Sequence, residues 1–244
     1  MMIPVDSLLS DAKGHRARTG RPLTTLSYAQ SLDGSIALYR GERTELSGSE
    51  SLALSHRLRS AHDAVLVGIG TILSDGPQLN VRLVPGSNPL PVVLDSSLRF
   101  PMDGNPLLNA TPSPLVVTLP GADGCKSEAL EDAGVRVLRV KPDAEGRVDV
   151  KTLVTELGRM GLDTLMVEGG AKVITSFLSE GLVDLFVITV VPRMIGGLHA
   201  VESGLTERNS GLPDEAELPE FVILGSERSG PDLVVWGRRG LEAK

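Results

Sequence analysis

The sequence predicts an α/β protein built on one mixed, mostly parallel sheet, with helices on both faces and an antiparallel hairpin at the C-terminal end. Three observations carry this. Strand-like runs alternate with helix-like segments between Leu23 and Val191, the order expected of a parallel sheet covered on both sides. Several of those runs, Ala64–Val67 and Pro91–Leu94 among them, are short and apolar. Near the end, Ser229-Gly230-Pro231 separates two more β-rich runs, a turn signal between adjacent strands.

In chain order, residues 1–20 read as a polar tail that ends in the basic cluster His15-Arg16-Ala17-Arg18, with room for a short helix over Pro4–Ala12. Residues 21–244 read as a single domain. Leu23–Ala29 is the first expected strand, and it runs into Ser31-Leu32-Asp33-Gly34, turn chemistry at a strand end. Asp33 either faces a cleft or holds its own turn through local hydrogen bonds. Tyr39–Gly48 is polar and reads as a loop or flap.

Ser49–Ser60 has helical spacing, with Leu52, Leu54 and Leu58 apolar and Ser47 or Ser49 available as a cap. Arg59 falls in its last turn, where a cation complements the helix dipole. His56 and His62 have no partner pattern and read as structural.

The stretch Val65–Arg82 (VLVGIGTILSDGPQLNVR) is the centre of the chain. A strand ends at Gly68-Ile69-Gly70, where glycines let the backbone turn tightly or approach a ligand. Thr71 follows as a cap for a short turn, Asp75-Gly76-Pro77 breaks that turn, and Arg82 closes the stretch. Such a strand end suits a phosphate or a sugar, or is an ordinary strand-to-loop turn. It is not the dinucleotide fingerprint, because Leu73 holds the third glycine position.

Pro91–Leu94 leads into Asp95-Ser96-Ser97-Leu98-Arg99. Hydroxyls and a guanidinium after a strand suit a phosphate monoester, unless the segment is a surface turn. Strands are expected at Pro114–Leu119, Val135–Val140, Thr164–Val167 and Asp184–Val191, and helices at Ser127–Ala133, Val150–Met160 and Ala171–Glu180. Glu168-Gly169-Gly170 is the second stretch with chemistry. A strand delivers a carboxylate to the sheet edge, and two glycines let the next helix start close to a ligand, with free amides suited to a pyrophosphate. Glu202–Glu220 is polar and rich in Gly and Pro and reads as a loop, before strands at Phe221–Gly225 and Asp232–Trp236.

Composition narrows the function. The formal net charge of −7 and 3% aromatic content argue against a nucleic-acid binder. The single cysteine, Cys125, excludes an intrachain disulfide and any multi-cysteine metal site, which fits a reducing cytoplasm, and no metal is expected. The N-terminus lacks the apolar core of a signal peptide, and no apolar run is long enough to span a bilayer.

VGIGTILSDGPQLNVR resembles the central motif of the riboflavin-pathway pyrimidine reductases, the reductase half of the bacterial bifunctional deaminase-reductase. Three further stretches agree in type and order: Arg21-Pro22 with Ser31–Gly34, then Leu94–Pro101 (LDSSLRFP), then Val167–Gly170 (VEGG) continuing to Pro192–Gly197 (PRMIGG). The resemblance implies the dihydrofolate reductase-like fold, NADPH as cofactor, a phosphorylated ribosylaminopyrimidine as substrate and a homodimer. It assigns Thr71, Asp75, Ser96, Ser97, Leu98, Arg99 and the amides of Gly169, Gly170 and Ala171 to the cofactor. Ser96–Arg99 would take the 2′-phosphate that distinguishes NADPH from NADH. Arg59, Leu79 (through its backbone), Arg82 and Glu168 go to the substrate. Asp33 and Glu168 are the two candidates for a carboxylate beside the imine carbon C1′ that accepts hydride.

The chain departs from the family in one loop, where Arg43-Thr44-Glu45-Leu46 replaces a Ser-x-Trp-Ile type pattern, so the substrate contacts there are open. With one cysteine it has no zinc deaminase signature, and a stand-alone reductase is expected. The alternatives are a diverged paralogue acting on another pterin- or pyrimidine-like compound, and a nucleotide-binding protein without turnover.

Overall fold

The computed structural model describes residues 3–42, 44–202 and 219–240. Its frame is a nine-stranded sheet. Seven strands run parallel: β1 (Leu23–Ser31), β3 (Ala64–Gly68), β4 (Leu90–Leu94), β5 (Leu115–Thr118), β6 (Arg136–Arg139), β7 (Thr164–Gly169) and β8 (Leu185–Val191). The hairpin β10 (Phe221–Ser229) and β11 (Asp232–Arg239) adds to β8 in the antiparallel sense. The order across the sheet is β10-β11-β8-β1-β7-β3-β4-β5-β6. A small second pairing joins β2 (Ser35–Ala37) to β9 (Leu198–His199); neither short strand carries a clear sequence pattern.

The central strands are apolar throughout because both faces are covered. Ala64 and Leu66 of β3, Val92 of β4 and Leu165 and Val167 of β7 pack on one face, against Leu153 and Leu157 of α6 (Val150–Arg159) and Ile174 and Phe177 of α7 (Ala171–Ser179). The alternate residues Val65, Val67, Val93 and Met166 pack on the other. Their partners there include Leu54 and Leu58 of α3 (Ser49–Ala61), Ile72 of α4 (Ile69–Asp75) and Leu130 of α5 (Gly124–Asp132). Phe177 and Leu58 are almost wholly buried, and truncating a buried aromatic of this kind costs about 3–5 kcal/mol.

The N-terminal segment, expected as a polar tail with room for a short helix, is more ordered than that. It forms α1 (Val5–Leu8) and α2 (Ala12–Thr19) and docks on the domain. Ile3, Val5 and Ala12 are buried, and the Arg16 Nε donates to Asp163 at 2.6 Å. A few well-placed apolar residues outweigh the polar average of the segment. Arg21 forks onto Asp184 at 2.6 and 2.7 Å, which ties the start of β1 to the start of β8 and gives the Arg21-Pro22 motif a structural role.

Apart from the N-terminal helices, the β2–β9 pairing and a 3-10 turn at Pro106–Asn109, expected and observed elements agree to within a few residues, with two further differences. The break after β3 is the seven-residue helix α4, not a simple turn. The hairpin strands extend beyond Gly225 and Trp236 to Ser229 and Arg239. Arg43 and residues 203–218, within the expected loop Glu202–Glu220, lie outside the described residues. Among the described residues no helix is long and apolar enough to cross a membrane.

Candidate active site

Parallel strands send their C-terminal ends to one edge of the sheet, where open α/β folds carry their ligands. Here that edge holds a cleft of about 800 Å³. Its walls come from β1, the β3–α4 junction, the turn after β4, the β7–α7 junction, Tyr39–Glu42 and Thr44.

The β3–α4 junction places Gly68, Gly70, Thr71 and Asp75 at the cleft. Gly68 is the N-cap of α4 with extended backbone, and Gly76 ends the helix in the left-handed conformation at φ 52°. Thr71 does not cap α4 as the sequence suggested, because it lies inside the helix. Its Oγ1 instead accepts the Gly170 N–H at 3.4 Å, joining the two glycine-rich junctions. Asp75 accepts the Ser74 hydroxyl at 2.6 Å.

At the β7–α7 junction Gly169 has φ 114°, a conformation that side chains rarely adopt, and the Gly169–Gly170 peptide is cis. Gly170 caps α7 without a side-chain hydrogen bond. The first amides of a helix have no intrahelical acceptor, so Ala171 and Lys172, both at the cleft, present donors to an anion there. Lys172 adds a cation that the sequence reading did not single out.

Glu168, just before the glycines, lies in the cleft and is gripped by Arg59 of α3. Arg59 Nε donates to Oε1 at 2.5 Å and Nη2 to Oε2 at 2.7 Å, the bidentate geometry of a strong ion pair. A third donor, Nη1, reaches the Asn80 carbonyl at 3.2 Å. Burial opposes the charged guanidinium, but the Glu168 charge and its hydrogen bonds outweigh it, and the Arg59 pKa lies above its ordinary value.

After β4, Ser96, Ser97 and Arg99 line the cleft as expected. Leu98 does not. It has φ 52° and is 1% exposed, so it anchors the turn in the core instead of meeting a ligand. The turn is pinned by buried Asp95, whose carboxylate accepts the Phe100 N–H at 2.7 Å. Arg147 enters the same region from the loop before α6, a residue that no local sequence signal marks. Asp143 shapes that loop by accepting the Glu145 and Arg147 amides, each at 2.9 Å. The Val148 N–H docks it on the Ser96 hydroxyl oxygen at 3.2 Å.

The remaining predicted residues lie elsewhere. Asp33 is not in the cleft wall. Its carboxylate accepts the hydroxyls of Ser31 and Ser35, both at 2.7 Å, and the amides of Ile195 and Gly196, both at 2.9 Å. Those two hydroxyls first, then the Ile195 amide, hold its pKa well below the usual carboxylate range against the opposing effect of burial. Of the two alternatives open in the sequence, this geometry is that of a turn holder. Leu79 is 1% exposed with φ 50° and does not line the cleft. Arg82 does not line the cleft either; its guanidinium donates to the Asn80 side chain at 2.9 Å. Of the departing loop, Thr44 is at the cleft and its hydroxyl accepts the Leu38 N–H at 3.0 Å.

Comparison with known proteins places the chain among riboflavin-pathway reductases. The chain is 35% identical over 218 residues to the 2,5-diamino-6-ribosylamino-4(3H)-pyrimidinone 5′-phosphate reductase of Methanothermobacter thermautotrophicus, covering 88% of this chain and 97% of that protein. It is 34% identical over 220 residues to the riboflavin biosynthesis protein RibD of Aquifex aeolicus, covering 90% of this chain but only 58% of that protein. The chain thus spans little more than half of that longer relative. Among solved structures, RibD of Acinetobacter baumannii superposes with a TM-score of 0.80 at 25% identity, covering 96% of this chain and 63% of that one. The riboflavin biosynthesis reductase Rib7 of Saccharomyces cerevisiae superposes with a TM-score of 0.71 at 25% identity, covering 97% and 99%. The family described as the RibD C-terminal domain matches residues 22–235, and the chain belongs to that family.

Proposed function

We propose that this chain is a pyrimidine 5′-phosphate reductase of riboflavin biosynthesis that uses NADPH to convert a ribosylamino side chain to ribitylamino. The observation that carries the reading is the single cleft in which the Arg59–Glu168 pair, the α7 N-terminus and the Ser96–Arg99 turn meet. A carboxylate, a set of free amides and a cationic turn are the groups needed for a sugar imine and a dinucleotide.

The residues present fit the cofactor. Ser96, Ser97, Arg99 and Arg147 gather hydroxyls and guanidinium groups at one part of the cleft, and Arg147 Nε is buried with no partner among the described residues. That donor set suits a phosphate monoester. The amides of Ala171 and Lys172 suit the pyrophosphate, and Thr71 and Asp75 flank the same space. When bound, the nicotinamide supplies the hydride that reduces C1′ of the ring-opened imine. The chain aligns the acceptor. Glu168 accepts an N–H or hydroxyl of the substrate beside C1′, which favours the protonated imine. Arg59 fixes the orientation of Glu168, since each carboxylate oxygen that accepts one Arg59 N–H keeps further acceptor capacity. Arg82 takes the substrate phosphate from beyond the cleft wall, where its guanidinium rests on the Asn80 side chain. Asp33 holds the turn after β1 and is not proposed as catalytic.

A homodimer is part of the proposal. Among the described residues the edge strand β10 exposes Val222, Ile223 and Leu224 in succession, and an exposed apolar edge invites a second copy. A cytoplasmic setting fits the lone Cys125. The departure at Arg43–Leu46, with Thr44 at the cleft, favours a second reading in which a diverged paralogue reduces another pyrimidine- or pterin-like compound. NADPH oxidation with a panel of phosphorylated ribosylaminopyrimidines, deaminated and not, tests both readings. Turnover of one of them is expected; NADPH binding without oxidation of any would overturn the proposal.

A further inference from the structure

Helix α3 carries a second buried side chain one turn before Arg59. His56 is 0% exposed, and its Nδ1 accepts the Arg82 N–H at 3.1 Å. Arg59 Nη1 donates to the Asn80 carbonyl. Two side chains of one helix turn therefore grip the backbone of one short segment, one through a carbonyl and the other through an amide two residues later. That segment follows Leu79, whose φ of 50° is rarely adopted by a leucine and persists only where the surroundings hold it.

Accepting at Nδ1 makes the ring neutral with its proton on Nε2. Nε2 is buried and has no partner among the described residues. An apolar side chain would fill the site without burying an unpaired N–H, so packing alone does not account for a histidine here. The charged groups around the ring are Arg59 and Arg82, with Glu168 opposing them, and burial comes first among the causes that pull its pKa down to about 4. The acceptor form is thus the form present at neutral pH.

We propose that His56 is a positioning residue for the substrate phosphate: by accepting the Arg82 amide it fixes the Asn80–Arg82 segment and so aims the Arg82 guanidinium. The inference rests on the reading of Arg82 as the phosphate ligand. His56 touches neither substrate nor cofactor in this scheme, so its effect is confined to binding of the phosphorylated end.

The test is a double-mutant cycle on the full chain with two readouts, the KM and kcat for the phosphorylated substrate and the inhibition constant of ribose 5-phosphate. Arg82→Ala should raise both constants. His56→Phe, which fills the ring volume without nitrogens, should raise both by roughly three- to tenfold, the scale of one hydrogen bond, with kcat within about twofold and the NADPH Kd unchanged. His56→Asn, whose side-chain oxygen takes the place of Nδ1, should recover most of the loss. With Arg82→Ala already present, His56→Phe should add nothing. Should His56→Phe not fold, His56→Leu runs the same cycle. Unchanged constants in a folded His56 variant, or independent effects that multiply in the double variant, would overturn the inference and leave Arg82 as phosphate ligand intact. If Arg82→Ala itself changes neither constant, the phosphate reading falls and takes the inference with it.

Discussion

The Glu168 carboxylate and the Arg59 guanidinium meet fork to fork, at 2.5 and 2.7 Å, from positions 109 residues apart in the chain. Their side chains are 16% and 12% exposed. An arginine committed to this pair is not free to serve as a separate phosphate ligand, which shifts that role toward Arg82.

Removing one partner leaves the other half-desolvated and uncompensated. For a fully buried pair that costs about 3–5 kcal/mol; here, with some solvent access, roughly half of that is expected. Arg59→Ala should therefore lower both Tm and kcat. Arg59→Lys keeps the charge and loses the fork, so it should recover Tm better than kcat. Thermal melts with steady-state kinetics decide this. A folded Arg59→Ala protein with full kcat would remove the pair from the mechanism.

Glu168→Gln keeps the shape of the side chain and deletes its charge. If Glu168 stabilises the protonated imine, kcat should fall by about a hundredfold or more, the scale of one electrostatic stabiliser, while the NADPH Kd stays near normal. An effect on KM alone would instead make Glu168 a holder of ribosyl hydroxyls.

Asp33→Asn should behave in the opposite way. One amide oxygen cannot replace a carboxylate that accepts two hydroxyls and two backbone amides. The variant should lose Tm and keep kcat. Because the folded pKa of Asp33 lies below its ordinary 3.8, its contribution to stability is present above that range and is lost as pH falls through it. A large loss of kcat at unchanged Tm would restore Asp33 as a catalytic candidate.

These contrasts show what the sequence could reveal. Glu168 and the glycines after it are legible because one apolar strand and one helix start place them locally. The hairpin is legible because Gly230, at φ 59°, and Pro231 separate β10 from β11. Asp33 looks identical to Glu168 at this level: both are carboxylates beside glycine after a strand. The difference lies in the Ile195 and Gly196 amides, which only the docking of the loop after β8 supplies. Arg147 is hidden for the same reason, since its place depends on Val148 meeting Ser96 across 52 positions of sequence. Helix α4 is missed because seven residues starting beside two glycines carry too little periodicity to read.

Stability should also fall in mild acid through the buried histidines. The pKa of His56 is lowered from 6.5 to about 4, chiefly by burial, and that of His62 is lowered for the same reason. The unfolded chain then binds more protons between those values, so stability is full above about pH 6.5 and declines as pH falls toward 4. Denaturant unfolding at several pH values should give a shallower decline for His56→Phe than for the unaltered chain. Identical slopes would show that His56 is not held neutral by the fold.

The proposed preference for NADPH rests on the turn after β4. Arg99 has a side chain 59% exposed, and its Nε lies 3.9 Å from Asp95, too far for a firm pair. Arg147 is already engaged, with Glu145 at 2.6 Å and Asp143 at 3.5 Å. A 2′-phosphate would find Arg99 available at little cost, whereas Arg147 must share its guanidinium. NADPH should therefore bind more tightly than NADH. Arg99→Ala should weaken NADPH by about 1.5–3 kcal/mol, the range for hydrogen bonds to charged groups, with the lower end expected because the group is open to solvent. Arg147→Ala should weaken it less, and neither substitution should move the NADH affinity much. Fluorescence titration of both cofactors against the three proteins measures this directly. A loss shared equally by NADPH and NADH would place the adenosine phosphate elsewhere in the cleft, and Lys172 at the start of α7 would then be the next cation to test.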